Sequence, residues 1–419
     1  MLRSRALARP TGAGARADDA RLLGPALWCA GLGTFAVLYA PQGLLTQVAQ
    51  ETGASPARAG LLVAAGTAGL AASVLPWAWF SDRVGRTGAM RVAALASVVL
   101  AFVVPFLPTL TLLLVGRFVQ GAALGGVAAL AVAVAHEHAP LRAGTLAGAY
   151  VAATSVGGLA GRLLAVPVAD RLGWRAALLV VGVVVAVLLG GLVALLPATR
   201  RPAPAQRAAR GTVRAHLRDP RLVALFVVGG LLVGGMAAVY TFLPFRLEAA
   251  PYGLAPAVVS LVFLAYLAGT GGSQAAARLA RRWGTAPALG TACGLLALGA
   301  LVTLATPLPV VLAGVVLLTV GLFVGHAVAA SRVAALATTG RAQATALYTV
   351  TYYVGSSVLG ATAGPLWAVG GWPAVAGLVV AAGLAALVLV ARTARAGDGR
   401  RPRAVPSRAG HAPVALRET

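Results

Sequence analysis

Lysine is absent from this 419-residue chain, and carboxylates are scarce: ten Asp and Glu face 34 basic residues, every one an arginine. Charged residues make up 11% of the chain, against about 25% in soluble domains, which excludes an ordinary water-soluble fold. Only two cysteines occur, Cys29 and Cys293, each inside an apolar run, so neither a disulfide framework nor a thiolate metal cluster is available. No Walker loop, G-x-S-x-G elbow or Cys–His set is present, so the residues of ATP drive and nucleophilic hydrolysis are missing. The string His136-Glu137-His138 offers the nearest thing to metal ligands. Side chains two apart on a helix diverge by about 200°, and Pro140 stands where H-E-x-x-H needs its second histidine. No metal and no cofactor is expected.

What is abundant is hydrocarbon: 59% of residues are hydrophobic and the mean hydropathy is +0.87. About twelve apolar runs of roughly 20 residues follow one another, each long enough to cross a bilayer core of about 30 Å. They fall at 24–46, 57–80, 89–109, 111–134, 143–168, 175–196, 222–246, 256–278, 287–306, 308–330, 342–367 and 372–392. The first run is too long for a signal-peptide core and lacks a clear cleavage site, so it reads as an uncleaved span. The fold class is an all-α polytopic membrane protein.

A net charge of +24 raises the question of nucleic acid. With the N-terminus placed in the cytoplasm, 28 of the 34 arginines fall on the cytoplasmic side. Four fall on the other side (Arg58, Arg171, Arg175, Arg246) and two within spans (Arg117, Arg162). That split is the positive-inside rule and needs no nucleic-acid partner. Both termini are then cytoplasmic.

The segment 197–222 breaks the pattern with seven arginines among Pro and Ala, and reads as a cytoplasmic linker between two sets of six spans. The expected organisation is a tail at 1–21, a six-helix bundle at 22–196, a linker at 197–221, a second bundle at 222–393 and a disordered basic tail at 394–419. The halves look duplicated. Ala78-x-x-x-Asp82-Arg83-x-Gly85 matches Ala277-x-x-x-Arg281-Arg282-x-Gly284 at an offset of 199 residues. The same offset carries Arg142-Ala143 onto Arg341-Ala342, and 198 carries Gly173-Trp174 onto Gly371-Trp372. Parallel repeats of this kind place a substrate site at their interface, near mid-membrane.

Asp82-Arg83-Val84-Gly85-Arg86 resembles the loop signature G-x-x-x-D-R-x-G-R-R of the major facilitator superfamily, with Ala78 in place of the first glycine and Thr87 in place of the last basic residue. Arg117-Phe118-Val119-Gln120-Gly121 resembles that superfamily's R-x-x-Q-G pattern, and 325–360 is similar to bacterial efflux permeases of the arabinose-efflux-like group. The resemblance covers about 22–393. It implies a twelve-helix transporter of two pseudo-symmetric bundles, monomeric, in a bacterial inner membrane, moving a small molecule outward by alternating access, with protons as the candidate coupling ion.

Candidate residues sort by depth and chemistry. Asp82, with Ala78, Arg83, Gly85 and Arg86, forms a gating loop in one reading: the carboxylate latches onto the N-terminal end of span eleven, where a helix dipole is worth about 0.3–2 kcal/mol. In the other reading Asp82 only caps span three. Arg281 occupies the equivalent place in the second half, so a matching latch is not expected there. Arg117 and Arg162 lie within spans, where an arginine costs a few kcal/mol and faces a polar interior; with Gln120 they fit a cavity wall, or snorkel outward. Tyr348, Tyr352 and Ser356 recur at four-residue steps on span eleven and suit substrate stacking and hydrogen bonding. Tyr39, Gln42, Tyr240 and Tyr266 are weaker cavity candidates. Gly121, Gly157, Gly161, Gly360 and Gly364 fit close helix packing. His326 and Glu137 are the titratable groups nearest to membrane depth, hence the candidates for proton coupling. Besides a transporter, a transporter-like sensor and an intramembrane enzyme are the other function classes; the last lacks a convincing nucleophile or acid at depth.

Overall fold

The computed structural model describes residues 12–199 and 210–398, and no strand occurs among them. Eight helices cross once each: α1 (Gly12–Tyr39), α2 (Pro56–Val84), α3 (Arg86–Val103), α4 (Leu110–His138), and, beyond the next two crossings, α7 (Pro220–Glu248), α8 (Ala265–Trp283), α9 (Thr285–Val302) and α10 (Leu308–Leu336). Two longer helical stretches turn back at a glycine. Ala143–Leu195 divides at Gly173 into α5 (143–172) and α6 (174–195), and Arg341–Asp398 divides at Gly371 into α11 (341–370) and α12 (372–398). Twelve crossings result. Only helices can satisfy backbone donors and acceptors in lipid, and the apolar runs leave the chain no other choice.

Boundaries follow local chemistry. Pro56 and Pro220 open α2 and α7, where a missing N–H costs nothing, and Ser55, Thr109 and Asp219 accept hydrogen bonds from Arg58 N, Leu112 N and Arg221 N at three helix starts. The first helix starts at Gly12, earlier than the run beginning near 22. The linker holds a short helix, Arg210–Arg218, whose His216 ring bonds the Gly340 carbonyl at 3.2 Å. The last helix continues to Asp398, so the tail expected at 394–419 falls mostly outside the described residues.

The duplication is visible in the backbone. Gly85 and Gly284 close α2 and α8 with φ of 85° and 88°, and Gly173 and Gly371 turn α5 into α6 and α11 into α12 with φ of 81° and 57°. These are the glycines that the 199- and 198-residue offsets align. Positive φ suits glycine and few other residues, so the repeat is anchored at its turns.

Two hydrophobic cores form, one from Leu23 to Leu196 that also takes in Tyr353 of α11, and one from Leu222 to Val390. Within the first, α1 packs on α5 and α2 on α4; within the second, α7 packs on α11 and α8 on α10. Glycines set these approaches. A Cβ at Gly157 or Gly161 would lie 2.5 and 2.3 Å from the Leu32 and Ala36 carbonyls of α1, and one at Gly121 only 1.9 Å from the Gly66 carbonyl of α2. Gly364 meets Ala57 across the two bundles. Gly360 is a correction to the sequence expectation: nothing lies within 4 Å of its would-be Cβ, so it makes no close helix contact. Gly121→Ala should therefore destabilise by about 1–3 kcal/mol or more through backbone clash, while Gly360→Ala should be neutral or slightly stabilising. Thermal unfolding of the two variants in detergent checks this; equal melting behaviour would contradict it.

Candidate substrate site at the bundle interface

One end of the molecule carries the α2–α3, α4–α5, α8–α9 and α10–α11 turns and the linker, and with them most of the arginines. The other end has four. Among the described residues, polar contacts between the bundles run from mid-depth to the arginine-poor end. Thr67 Oγ1 and Ser357 Oγ are 2.8 Å apart, Gln42 Nε2 donates to Thr241 Oγ1 at 3.0 Å, and Thr46 Oγ1 donates to Glu248 Oε1 at 3.1 Å. Gly60 of α2 lies against Phe242 and Thr241 of α7 in the same region. α5 meets the second bundle mainly at Pro256–Leu264, again toward this end. Toward the arginine-rich end, Gly144 and Gly148 of α5 and Gly271 of α8 have open space where a side chain would stand. The α2–α11 seam reaches further, since Ala346 and Val350 still pack on the first core.

Arg162 of α5 sits where these contacts converge, with none of its surface exposed. Its Nε and Nη2 both donate to Gln42 Oε1, at 3.0 and 2.5 Å; Nη2 also reaches the Tyr266 hydroxyl at 3.2 Å, and Nη1 the Gly158 carbonyl at 2.7 Å. The rings of Tyr39, Phe263 and Tyr266 stand 4.4, 4.8 and 4.9 Å from the guanidinium carbon. Among the described residues no carboxylate pairs with it. Cation–π contacts are worth up to about 2 kcal/mol each when desolvated, which offsets part of the burial cost without consuming the charge.

The aromatic set continues into the second bundle. Tyr240 stacks on Phe263 at 5.5 Å, meets Tyr266 edge-on at 5.2 Å and bonds Thr319 Oγ1 at 2.8 Å. His326 of α10 lies 4.7 Å from the Tyr352 ring and bonds the Tyr348 hydroxyl at 2.9 Å through Nδ1. Tyr39 and Tyr352 remain partly exposed, so this wall is the accessible one. Ser356 is buried and its hydroxyl has no hydrogen-bond partner among the described residues, while its neighbour Ser357 makes the bond across the bundles.

Three expectations need correction or narrowing. Arg117 does not face the interface: its guanidinium is held in the first core by the carbonyls of Val37 (3.2 Å), Leu38 (2.5 Å) and Leu62 (3.3 Å) and by Gln120 Oε1. Arg117 and Gln120 thus clamp α1 and α2 to α4. Glu137 is engaged by Arg86 at 3.4 Å at the arginine-rich end, and Arg86 also bonds the Ala133 carbonyl. Asp82 is exposed and makes no hydrogen bond or ion pair among the described residues, while Arg83 stacks on Trp79 at 3.4 Å. Sequence reasoning missed Thr241, Thr67, Phe263 and the Thr46–Glu248 pair. One signal was available for Thr241: it lies 199 residues after Gln42, the repeat offset itself.

This architecture is that of a membrane transporter. The sequence profile of the Major Facilitator Superfamily matches residues 27–356, and the chain belongs to that family. Among similar proteins are the MFS-type transporter YybF of Bacillus subtilis (strain 168), 33% identical over 88% of this chain and 93% of that protein, and the inner membrane transport protein YnfM of Escherichia coli (strain K12), 32% identical over 88% and 90%. In solved structures the fold recurs in a POT family transporter complexed with a thioalcohol-conjugated peptide (TM-score 0.73, 14% identity, 90% of this chain and 96% of that one) and in the nucleoside transporter NupG (0.70, 14%, 88% and 99%). The relatives and the fold are those of transporters, not enzymes.

The geometry separates the two membrane arginines. Arg117→Ala leaves three backbone carbonyls without their donor, each costing about 1–3 kcal/mol, so the variant should melt well below the wild type while retaining ligand binding per folded molecule. Melting and binding measured on the same preparation check this; lost binding in a fully stable variant would return Arg117 to the site.

Proposed function

We propose that the protein moves a small organic molecule by alternating access, around a site made by Arg162, Tyr39, Tyr266, Tyr348 and Tyr352, with efflux as the physiological direction. The observation that carries the reading is the distribution of contacts: polar pairs join the bundles from mid-depth to the arginine-poor end, and Asp82 at the other end makes no hydrogen bond or ion pair among the described residues. By the positive-inside rule the arginine-rich end is cytoplasmic, in a bacterial inner membrane, so the molecule stands closed to the outside. Asp82 is then a latch that engages the N-terminal end of α11 only when the inner side closes. Efflux follows from the likeness of 325–360 to export permeases, and the partly exposed Tyr39 and Tyr352 suit loading of a substrate.

Proton exchange would drive such export. His326, bonded to Tyr348 beside the aromatic wall, is the titratable group best placed to feel substrate; Glu137, tied to Arg86, is placed to feel the inner gate. A monomer suffices, because the site lies between two bundles of one chain.

Removing the latch charge tests the cycle. Asp82→Asn should move the population further toward the inward-open form by roughly 2- to 30-fold, whereas Arg281→Ala should change little. Single-cysteine labelling from both sides of sealed vesicles reads the shift. Equal effects of the two variants, or none for Asp82→Asn, would overturn the latch; absence of flux for every solute in a broad proteoliposome screen would favour a sensor instead.

A further inference from the structure

Arg162 is a buried cation whose hydrogen-bond partners among the described residues are all neutral. Its Nε–Nη2 edge, the fork that grips a carboxylate through two parallel hydrogen bonds, converges instead on a single neutral oxygen, Gln42 Oε1, at 3.0 and 2.5 Å. The guanidinium is fully buried, and three rings surround it. Gln42 is itself buried and does two things at once. Its oxygen serves Arg162 of the first bundle, and its Nε2 donates at 3.0 Å to Thr241 of the second.

We infer that Gln42 is a displaceable stand-in for the carboxylate of the substrate, and that its displacement unlocks the seam at the arginine-poor end. The substrate class is an organic monocarboxylate with an apolar or aromatic body, a deepening that rests on the reading of this interface as the transport site. One buried positive charge balances one negative charge; a dianion such as a phosphate monoester would leave an uncompensated charge in a site with no second cation among the described residues at hand. The rings of Tyr39, Phe263 and Tyr266 supply a surface for the body of the molecule. A carboxylate on the Nε–Nη2 edge brings a full opposite charge and two oxygens for two parallel bonds, where the amide offers one neutral oxygen to both donors, so it outcompetes the amide oxygen. Gln42 then turns away, and the Gln42–Thr241 bond, which holds α7 against the α1 terminus, is lost with it. Binding and gate release are thereby the same event, which is the differential interaction a ligand needs to shift a conformational equilibrium.

The test uses the full-length protein in nanodiscs with benzoate, cinnamate and decanoate as probes, each against its uncharged amide. Binding is read by tryptophan fluorescence and by ligand-dependent melting, and opening is read by labelling of a single cysteine at the arginine-poor end. The carboxylates should bind and the amides should not. Gln42→Ala should bind at least tenfold more tightly, having lost the internal competitor, and label faster without ligand. Gln42→Glu should fold, melt higher and bind at least tenfold more weakly, because its own carboxylate fills the fork. Thr241→Val should label faster with carboxylate affinity retained. Amides binding as well as carboxylates, or Gln42→Glu and Gln42→Ala both matching the wild type, would overturn the stand-in. Gln42-dependent carboxylate binding with no labelling change supports the anion site and counts against alternating access at this seam. Faster labelling in Thr241→Val without any carboxylate binding overturns the anion site and leaves alternating access standing.

Discussion

A buried cation at the interface between the two bundles, Arg162, sets the terms for everything around it. Arg162 carries its charge at full burial, with amide, hydroxyl and carbonyl oxygens and ring faces but no paired carboxylate among the described residues. Moving an arginine into a bilayer core costs at least a few kcal/mol even by insertion scales. The structure meets that cost by bringing α1, α5, α7 and α8 together at one point, so the same residues that solvate the charge also close the interface. Gln42 is the clearest case, since each end of its amide serves a different bundle.

Around this point the structure divides into two closely packed halves and a seam between them. Glycine-mediated contacts fix α1 on α5 and α2 on α4 so closely that no side chain fits between them. Arg117 adds a second rivet by spanning Val37, Leu38 and Leu62. The seam between halves consists of a few side-chain hydrogen bonds, among them Arg162 to Tyr266 and Thr46 to the Glu248 carboxylate, and the apolar α2–α11 contact. Each neutral pair is worth about 0.5–1.5 kcal/mol net, so the polar part of the seam is weak beside the backbone-to-backbone glycine contacts inside each bundle. That difference in strength is what alternating access requires.

Much of the fold was legible in the sequence because its causes are local. Twenty-residue apolar runs, proline and hydroxyl caps and arginine placement leave few alternatives, and the Gly85/Gly284 and Gly173/Gly371 pairs fall where the repeat offset put them. The candidate site was legible in part. Arg162, Tyr39, Gln42 and Tyr266 come together, but their partners Phe263 and Thr241 gave no motif. Arg117 misled because depth in a span does not say which way a side chain turns; its helix face points at α1 and α2 rather than at the second bundle. Gly360 misled similarly, since a four-residue step marks a face without marking a neighbour. The Gln42–Thr241 spacing shows what a finer reading uses: residues one repeat apart meet only near the axis that relates the halves. By the same offsets Arg162 maps to Gly360 or Ala361, so the charge is single-sided and the site is not symmetric.

The central claim, that two rigid bundles exchange closure at one end for closure at the other, is tested most directly by paired distances. Spin labels at Leu141 and Thr338 report the arginine-rich end, and labels at Leu172 and Thr306 the arginine-poor end; all four residues are exposed. With Cys29 and Cys293 replaced, double electron–electron resonance in nanodiscs should show the two pairs changing in opposite senses when a transported solute is added, one distance shortening as the other lengthens. Both distances staying fixed, or moving together, would contradict the account.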